Sequence, residues 1–447
     1  MEIKAQCQEL QTRLTTLDWV TAPIQVKRLS KDFHWFSPLL NQKLADKKAD
    51  IAVKPRSEQE LKDLVSECVE LGLPLTVRGG GTGNYGQAVP LHGGVVVDMT
   101  RYKQVLSVVQ GVVRVEPGIK MGELEEALEA HGYELRCMPS TYKMATIGGL
   151  FSGGFGGIGS INYGPLAAAG TVLSIKVMTI EANPQVLEFR GKDALTYHHT
   201  YGTNGIITEM EIAVAPLREW REYMLAFANL ESAHSFANTL AYSTGIDKRN
   251  VALFDPKNAS YFPNAEQLNS GEFLVIALCA ENASQPLDEM LGEFGGRIAW
   301  QQSAEQAKHS GHTLMECCWN HSTLQALKFD KGLTYLQASY DSERVVEQLK
   351  QIAEFAPDNE VGIHLEFIKT ADGKPFVTGL PLIQFTTEQR LAELTELHRS
   401  VGVGINDPHV FTLEDGKHHG VLSEAILSSI RAHDPHNLLN RGKVRSL

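Results

Sequence analysis

Nine residues, Arg78-Gly79-Gly80-Gly81-Thr82-Gly83-Asn84-Tyr85-Gly86, have the types and spacing to bind an anion through backbone N–H groups. Positions 81–86 spell G-x-G-x-x-G, a pattern that in a dinucleotide-binding unit sits between a strand and a helix whose N-terminus meets a pyrophosphate. The strand is legible as Leu75-Thr76-Val77. The helix is not: Gln87-Ala88-Val89-Pro90-Leu91-His92-Gly93-Gly94 places a proline and two glycines where it would run. A Walker loop is excluded, because no Gly-Lys-Ser/Thr closes the run. Two readings remain, a plain surface turn and a nest of N–H groups that cradles a diphosphate. Five glycines in nine residues, directly after an arginine and an apolar strand, favour the nest.

The elements around this loop alternate. Residues 57–72 read as a helix, with Ser57 and Glu60 as a capping box and Gly72 at its end. Strands follow at 75–78 and 95–98, then a hairpin through 105–109 and 112–115, and a helix from 121. This order indicates an α+β fold rather than a doubly wound sheet. Residues 144–175 carry no charge, but nine glycines and Pro165 interrupt them, so they read as tight loops and short strands and not as a membrane span. From 220 to 415 glycine thins out and strands alternate with amphipathic helices, for example 230–242 and 342–355. A helix at 422–432 opens the tail. The 447 residues call for two or three domains. A net charge of −12 argues against nucleic acid or an anionic membrane as partner. The N-terminus lacks an apolar signal core, and six cysteines without C-x-x-C spacing suit a reducing cytoplasm better than a metal or disulfide framework.

Four segments in the same order resemble the FAD-linked oxidase family, also called vanillyl-alcohol-oxidase or PCMH-type flavoproteins. Arg78-Gly79-Gly80-Gly81-Thr82-Gly83 is similar to its pyrophosphate loop. Pro139, Thr146-Ile147-Gly148-Gly149 and Ser152-Gly153-Gly154 are similar to its Pro…Thr-Ile-Gly-Gly…Gly-Gly segment. Gly202-Thr203-Asn204-Gly205-Ile206-Ile207-Thr208-Glu209 is similar to its Gly-Thr-Leu-Gly-Ile-Ile-Thr-Glu. Asp434-Pro435 with Leu439-Asn440-Arg441-Gly442-Lys443 is near its C-terminal Asp-Pro…Leu-Asn-Pro-Gly-Lys. The order and spacing carry the resemblance, over residues 50–220 plus the tail. Within the family the arrangement is most like the flavin-bearing chains of glycolate oxidase and the D-lactate dehydrogenases.

The resemblance implies an N-terminal helical segment (1–45) and a two-lobed PCMH-type FAD-binding domain (46–219). It further implies an α+β cap or substrate domain (220–415) and a C-terminal segment (416–447) packing back on the FAD domain. It implies that Gly79, Gly80, Gly81, Thr82, Gly83 and Asn84, with Arg78 beside them, bind the diphosphate. Pro139, Thr146, Gly148, Gly149, Ser152, Gly153 and Gly154 would lie along the flavin, Gly205, Ile206 and Ile207 near the adenine, and Asn440 near the ring. The first loop holds Thr82 and Asn84 where many relatives carry a histidine or cysteine that bonds the flavin, so non-covalent FAD is expected.

The implied reaction is oxidation of a small alcohol, a 2-hydroxy acid by the resemblance, with electrons leaving to an acceptor other than NAD. It requires a hydride acceptor, a base for the hydroxyl proton and a cation for the carboxylate. His321 in Glu316-Cys317-Cys318-Trp319-Asn320-His321 and His409 in Asn406-Asp407-Pro408-His409 are the histidines expected to face the flavin; His364 is a third candidate. Metal-using members carry two histidine-bearing segments, whose nearest matches here, Val361-Gly362-Ile363-His364-Leu365-Glu366 and Lys417-His418-His419-Gly420, are both degraded. No bound metal is therefore expected. Arg136 or Lys328 would serve the carboxylate. An oxygen-using sugar or alcohol oxidase, and a flavin-bearing component of an electron-transfer assembly, stand as alternatives.

Overall fold

The computed structural model describes residues 3–356, 360–416 and 420–447. Ser57 caps the helix Glu58–Leu71, its hydroxyl accepting from Glu60 N, and Gly72 closes it at φ +66°. Only half of the expected capping box forms, because the Glu60 carboxylate accepts from Arg56 N. The helix buries Leu61, Leu64, Val65 and Cys68 against a small sheet. In that sheet Ile51–Val53 and Leu75–Arg78 both run parallel to Val95–Asp98, and Trp19–Val20 joins the edge antiparallel. Strands buried on both faces need no polar alternation, which is why Val95-Val96-Val97 is uniformly apolar.

A second lobe is antiparallel. Its strands lie in the order Val105–Val109, Val112–Val115, Ile206–Pro216, Val172–Met178, Val186–Arg190, with Tyr133–Leu135 also on Ile206–Pro216. The helices Met121–Glu129 and Ile147–Gly153 pack into its core through Leu124, Leu128, Ile147 and Phe151. Residues 144–175 therefore differ from the reading as loops and short strands: they hold the helices Ile147–Gly153 and Ser160–Tyr163 before the strand Val172–Met178. The first survives its glycines because Thr146 caps it, and because Gly148 lets it approach Pro117, whose Cβ would lie 2.4 Å from an added Cβ.

Residues beyond 219 build an eight-stranded sheet in the order Arg297–Gln302, Trp220–Phe227, Phe273–Ala280, Lys248–Phe254, His364–Lys369, Pro375–Gly379, Gln337–Tyr340, Gly404–Asn406. The helices Leu230–Tyr242, Ser284–Glu293, Val345–Phe355 and Glu388–Ser400 cover one face. The other face packs Ala252, Phe254 and Ile276 against Leu314, Cys317 and Cys318. The tail returns to the first sheet: Leu75 N donates to Leu438 O at 2.9 Å, and Asn440 N donates to Leu75 O at 2.6 Å. Among the described residues no helix is long and apolar enough to cross a membrane.

Candidate functional site

A cavity of about 580 Å³ opens where the glycine loop, the glycine-rich helix and the eight-stranded sheet meet. Its floor is backbone. An added Cβ would sit 1.9 Å from Thr146 Oγ1 at Gly79 and 2.0 Å from Met144 O at Gly80, so the glycine loop lies against residues 144–146 with no room for a side chain. Thr146 holds its side by accepting from Gly149 N at 3.2 Å. Arg78 holds the other side: its guanidinium donates to Lys31 O and Gly80 O, both at 3.1 Å, and to Leu29 O and Gly79 O. Burial lowers its pKa below the usual guanidinium value. With four carbonyls on it, Arg78 shapes the loop.

The structure brings together at this cavity Arg78, Gly79, Gly80, Gly81, Thr82, Gly83, Asn84, Pro139, Thr146, Gly149, Ser152, Gly153, Gly154 and His321. Other expected site residues do not line it. Gly148 faces Pro117, and Gly205 backs onto Val177, 2.3 Å from an added Cβ. Ile206 and Ile207 lie in the cores of the first and second lobes. Asn440 sits behind the wall at φ +48°, its amide donating to Gln87 O and Tyr201 O. It therefore supports residues that line the cavity without reaching it.

The histidines separate in the same way. His321 opens the helix His321–Phe329 on the cavity wall; its Nδ1 is buried without a partner, and burial lowers its pKa to about 4. His409 lies outside the wall, with Nδ1 on Ser37 Oγ at 2.7 Å and Nε2 on Tyr335 O at 3.0 Å. His364 is fully buried between Ser322 Oγ and Glu366 Oε1, both at 2.9 Å. Arg136 donates to Val214 O and Gly170 O, and Lys328 to Gln325 Oε1; neither lines the cavity. Lys417, His418 and His419 lie outside the described residues. Among those described, no cluster of three or more His, Cys, Asp or Glu could hold a metal ion.

Sequence reasoning missed several wall residues. Gln87 crosses from loop to helix, its amide donating to Gly153 O at 2.6 Å. The Tyr85 hydroxyl accepts from Gln337, and burial pushes that phenol up to about 12. Its ring stacks on Tyr201 at 6.2 Å. Only an aromatic adjoining a glycine run could have drawn attention to Tyr85; Gln87 and Tyr201 carry no local signal.

The wall suits a polar guest with a phosphate end. Gln87, Asn320 and His321 line it, and their Gln87 Oε1, Asn320 Oδ1 and His321 Nδ1 atoms are buried with no protein partner. Buried polar atoms are normally bonded. A backbone cradle without room for a Cβ at one end, and three unpartnered polar atoms around it, fit an elongated dinucleotide. Residues 49–189 match the FAD binding domain family.

Residues 49–189 are an FAD-binding domain.

The FAD-binding domain supplies both glycine segments of the cavity floor. Over the longer chain, glycolate oxidase subunit GlcD of Bacillus subtilis is 24% identical across 436 residues, covering 88% of each protein. A mitochondrial D-lactate dehydrogenase [cytochrome] of Arabidopsis thaliana is 27% identical over 60% of this chain and 46% of its own length. The matched segment also spans only 38% of the corresponding Escherichia coli glycolate oxidase chain. Among solved structures, an alkyldihydroxyacetonephosphate synthase superposes over 98% of this chain and 85% of its own, with TM-score 0.74 at 16% identity. A 4-ethylphenol oxidase from Gulosibacter chungangensis covers 98% and 97%, with TM-score 0.68 at 16% identity. These likenesses extend the fold of the FAD-binding domain's relatives across nearly the whole chain. FAD is the cofactor.

Proposed function

We propose that this chain is an FAD-dependent oxidoreductase that removes a hydride from a small alcohol, a 2-hydroxy acid of the glycolate or D-lactate type, and passes the electrons to an acceptor other than NAD. One observation carries the reading: His321 and Asn320, from beyond residue 219, project into the cavity whose floor the FAD-binding domain builds. Bound FAD supplies the hydride acceptor. The chain does the rest. The two glycine segments hold the diphosphate end, with Arg78 fixing their backbone. His321, its imidazole kept neutral by burial, takes the hydroxyl proton, and Asn320 orients the substrate. Residues 46–219 then hold the cofactor, 220–415 the substrate side, and 416–447 brace the first. With all six cysteines free and buried, the reading places the protein in the cytoplasm.

A second reading, a neutral alcohol or sugar as substrate, is favoured by one feature. The fixed cation among the described lining residues is Arg78, and it is committed to backbone carbonyls. An anaerobic visible spectrum recorded with 2-hydroxy acids and with neutral alcohols tests both. Bleaching by a hydroxy acid supports the first reading, and bleaching by neutral alcohols alone replaces it. A flavin that no alcohol bleaches points to a protein that only relays electrons. FAD should leave the protein on acid precipitation, since Thr82 and Asn84 occupy the loop; a yellow pellet would show a covalent bond.

A further inference from the structure

Trp319 lines the cavity beside Asn320 and His321, and its backbone is left-handed at φ +50°, a conformation bulky residues rarely adopt. What holds it there is a polar cluster on the sheet behind the wall. His364 and Glu366 alternate on the strand His364–Lys369. On the adjacent strand Ala252 is paired with Glu366 and Phe254 with His364, so Asn250 shares their face. Glu366 Oε1 accepts from Trp319 N at 2.6 Å and meets His364 Nε2 at 2.9 Å. Glu366 Oε2 accepts from Asn250 Nδ2 at 3.1 Å, while Asn250 Oδ1 accepts from the Trp319 indole at 3.3 Å. Ser322 Oγ, 2.9 Å from His364 Nδ1, donates to Trp319 O at 2.8 Å. The main-chain N–H, the carbonyl and the indole of Trp319 are thus all gripped from one side. Glu366 and His364 are 0% exposed, and neither they nor Asn250 nor Ser322 lines the cavity.

A buried carboxyl group is costly unless every lone pair is met; here Trp319 N, His364 and Asn250 meet it, and Asn250 in turn accepts from the Trp319 indole. We propose that Glu366 is a positioning residue of the active site: it fixes Trp319 in the left-handed conformation and so aims Asn320 and His321 at the substrate. The proposal rests on the reading that the cavity holds FAD and substrate. The bland alternative is a polar cluster that merely stabilises the sheet.

Donor–acceptor logic supplies the test. In Glu366→Gln one oxygen becomes an N–H₂ that meets a donor, either Trp319 N–H or Asn250. Adding Asn250→Asp restores an acceptor opposite the new amide and keeps one for the indole. The FAD-loaded protein is compared as wild type, E366Q and E366Q/N250D. E366Q should keep its flavin stoichiometry and its half-saturating substrate concentration within about three-fold, while flavin reduction slows by roughly ten- to a hundred-fold. The emission of Trp319, isolated by subtracting a Trp319→Phe protein, should change its wavelength and its quenching by FAD. E366Q/N250D should recover both. Wild-type reduction and Trp319 emission in E366Q would overturn the proposal. So would an E366Q/N250D protein that recovers thermal stability but neither signal. If E366Q does not fold, the double variant decides by the same two signals. If no alcohol bleaches the wild type, the proposed function fails, and Trp319 emission in the loaded protein still decides the positioning.

Discussion

His321 reaches the cavity with Nδ1 unpartnered, whereas both ring nitrogens of His409 are committed to Ser37 and Tyr335. That difference in bonding assigns them different consequences on mutation. His321→Ala should retain FAD and lose about 10²–10⁴-fold in the rate of flavin reduction, measured by stopped flow. His409→Ala should keep that rate within a few-fold and instead lower the melting temperature, because it removes the hydrogen bonds the ring makes to Ser37 Oγ and Tyr335 O and leaves Ser37 Oγ only Leu40 N. Burial sets the pH behaviour of His321. With its pKa lowered from 6.5 to about 4, the imidazole is neutral and able to accept a proton at any pH above that. Flavin reduction should be flat from neutral pH downwards and fall as pH drops through about 4. A rate that falls instead near 6.5 would mean the ring is solvated and no longer enclosed by the wall. The sequence placed these histidines on equal terms. Nothing local to either segment tells that Ser37, more than 370 residues away, waits for one of them.

Elements, rather than side chains, form the floor proposed for the diphosphate, and the glycines of that floor were the most legible part of the sequence. The loop can lie this close to residues 144–149 only where Cβ is missing, so Gly79 and Gly149, against the Thr146 side chain, and Gly80, against the Met144 carbonyl, had to be glycines and could be found as such. Gly79→Ala and Gly80→Ala should each weaken FAD binding by ten-fold or more, roughly, read by flavin fluorescence titration. Gly72→Ala is the control. Its φ of +66° makes alanine unfavourable by about 1 kcal/mol, yet nothing lies within 4 Å of the added carbon, so FAD affinity should not change. The helix Ile147–Gly153 was not legible, because three glycines outweigh one Thr146 cap in any propensity sum. Gln87 and Tyr201 were not legible either, since what makes them wall residues is the arrival of Gly153 and Asn440 from elsewhere in the chain.

At the scale of the whole molecule the tail completes the site. Asn440 grips Gln87 O and Tyr201 O, and Lys443, fully buried beneath the glycine loop, donates to Gly86 O and lies 5.4 Å from the Phe411 ring centre. Burial lowers the Lys443 pKa from 10.5 to about 7. Between those values the unfolded chain binds a proton that the folded one does not, so folding stability rises with pH across this window, by about 1.4 kcal/mol per unit from this group. Replacing Lys443 with methionine should remove that dependence. The melting temperature of the wild type relative to K443M should therefore climb between pH 7.5 and 9.5, roughly; a constant difference would mean the ammonium stays charged. The resemblance of Leu439-Asn440-Arg441-Gly442-Lys443 to a family segment marked this stretch as near the cofactor, and the structure puts it one layer behind.

That arrangement ties cofactor loading to the order of synthesis. The strand Leu75–Arg78 leaves the ribosome more than 360 residues before Leu438 and Asn440 arrive to close its free edge. Until then the glycine loop lacks the contacts that hold Gly86 and Gln87 from behind. A chain ended before Leu438 should therefore bind FAD more weakly than the full chain, which a flavin fluorescence titration of the two checks.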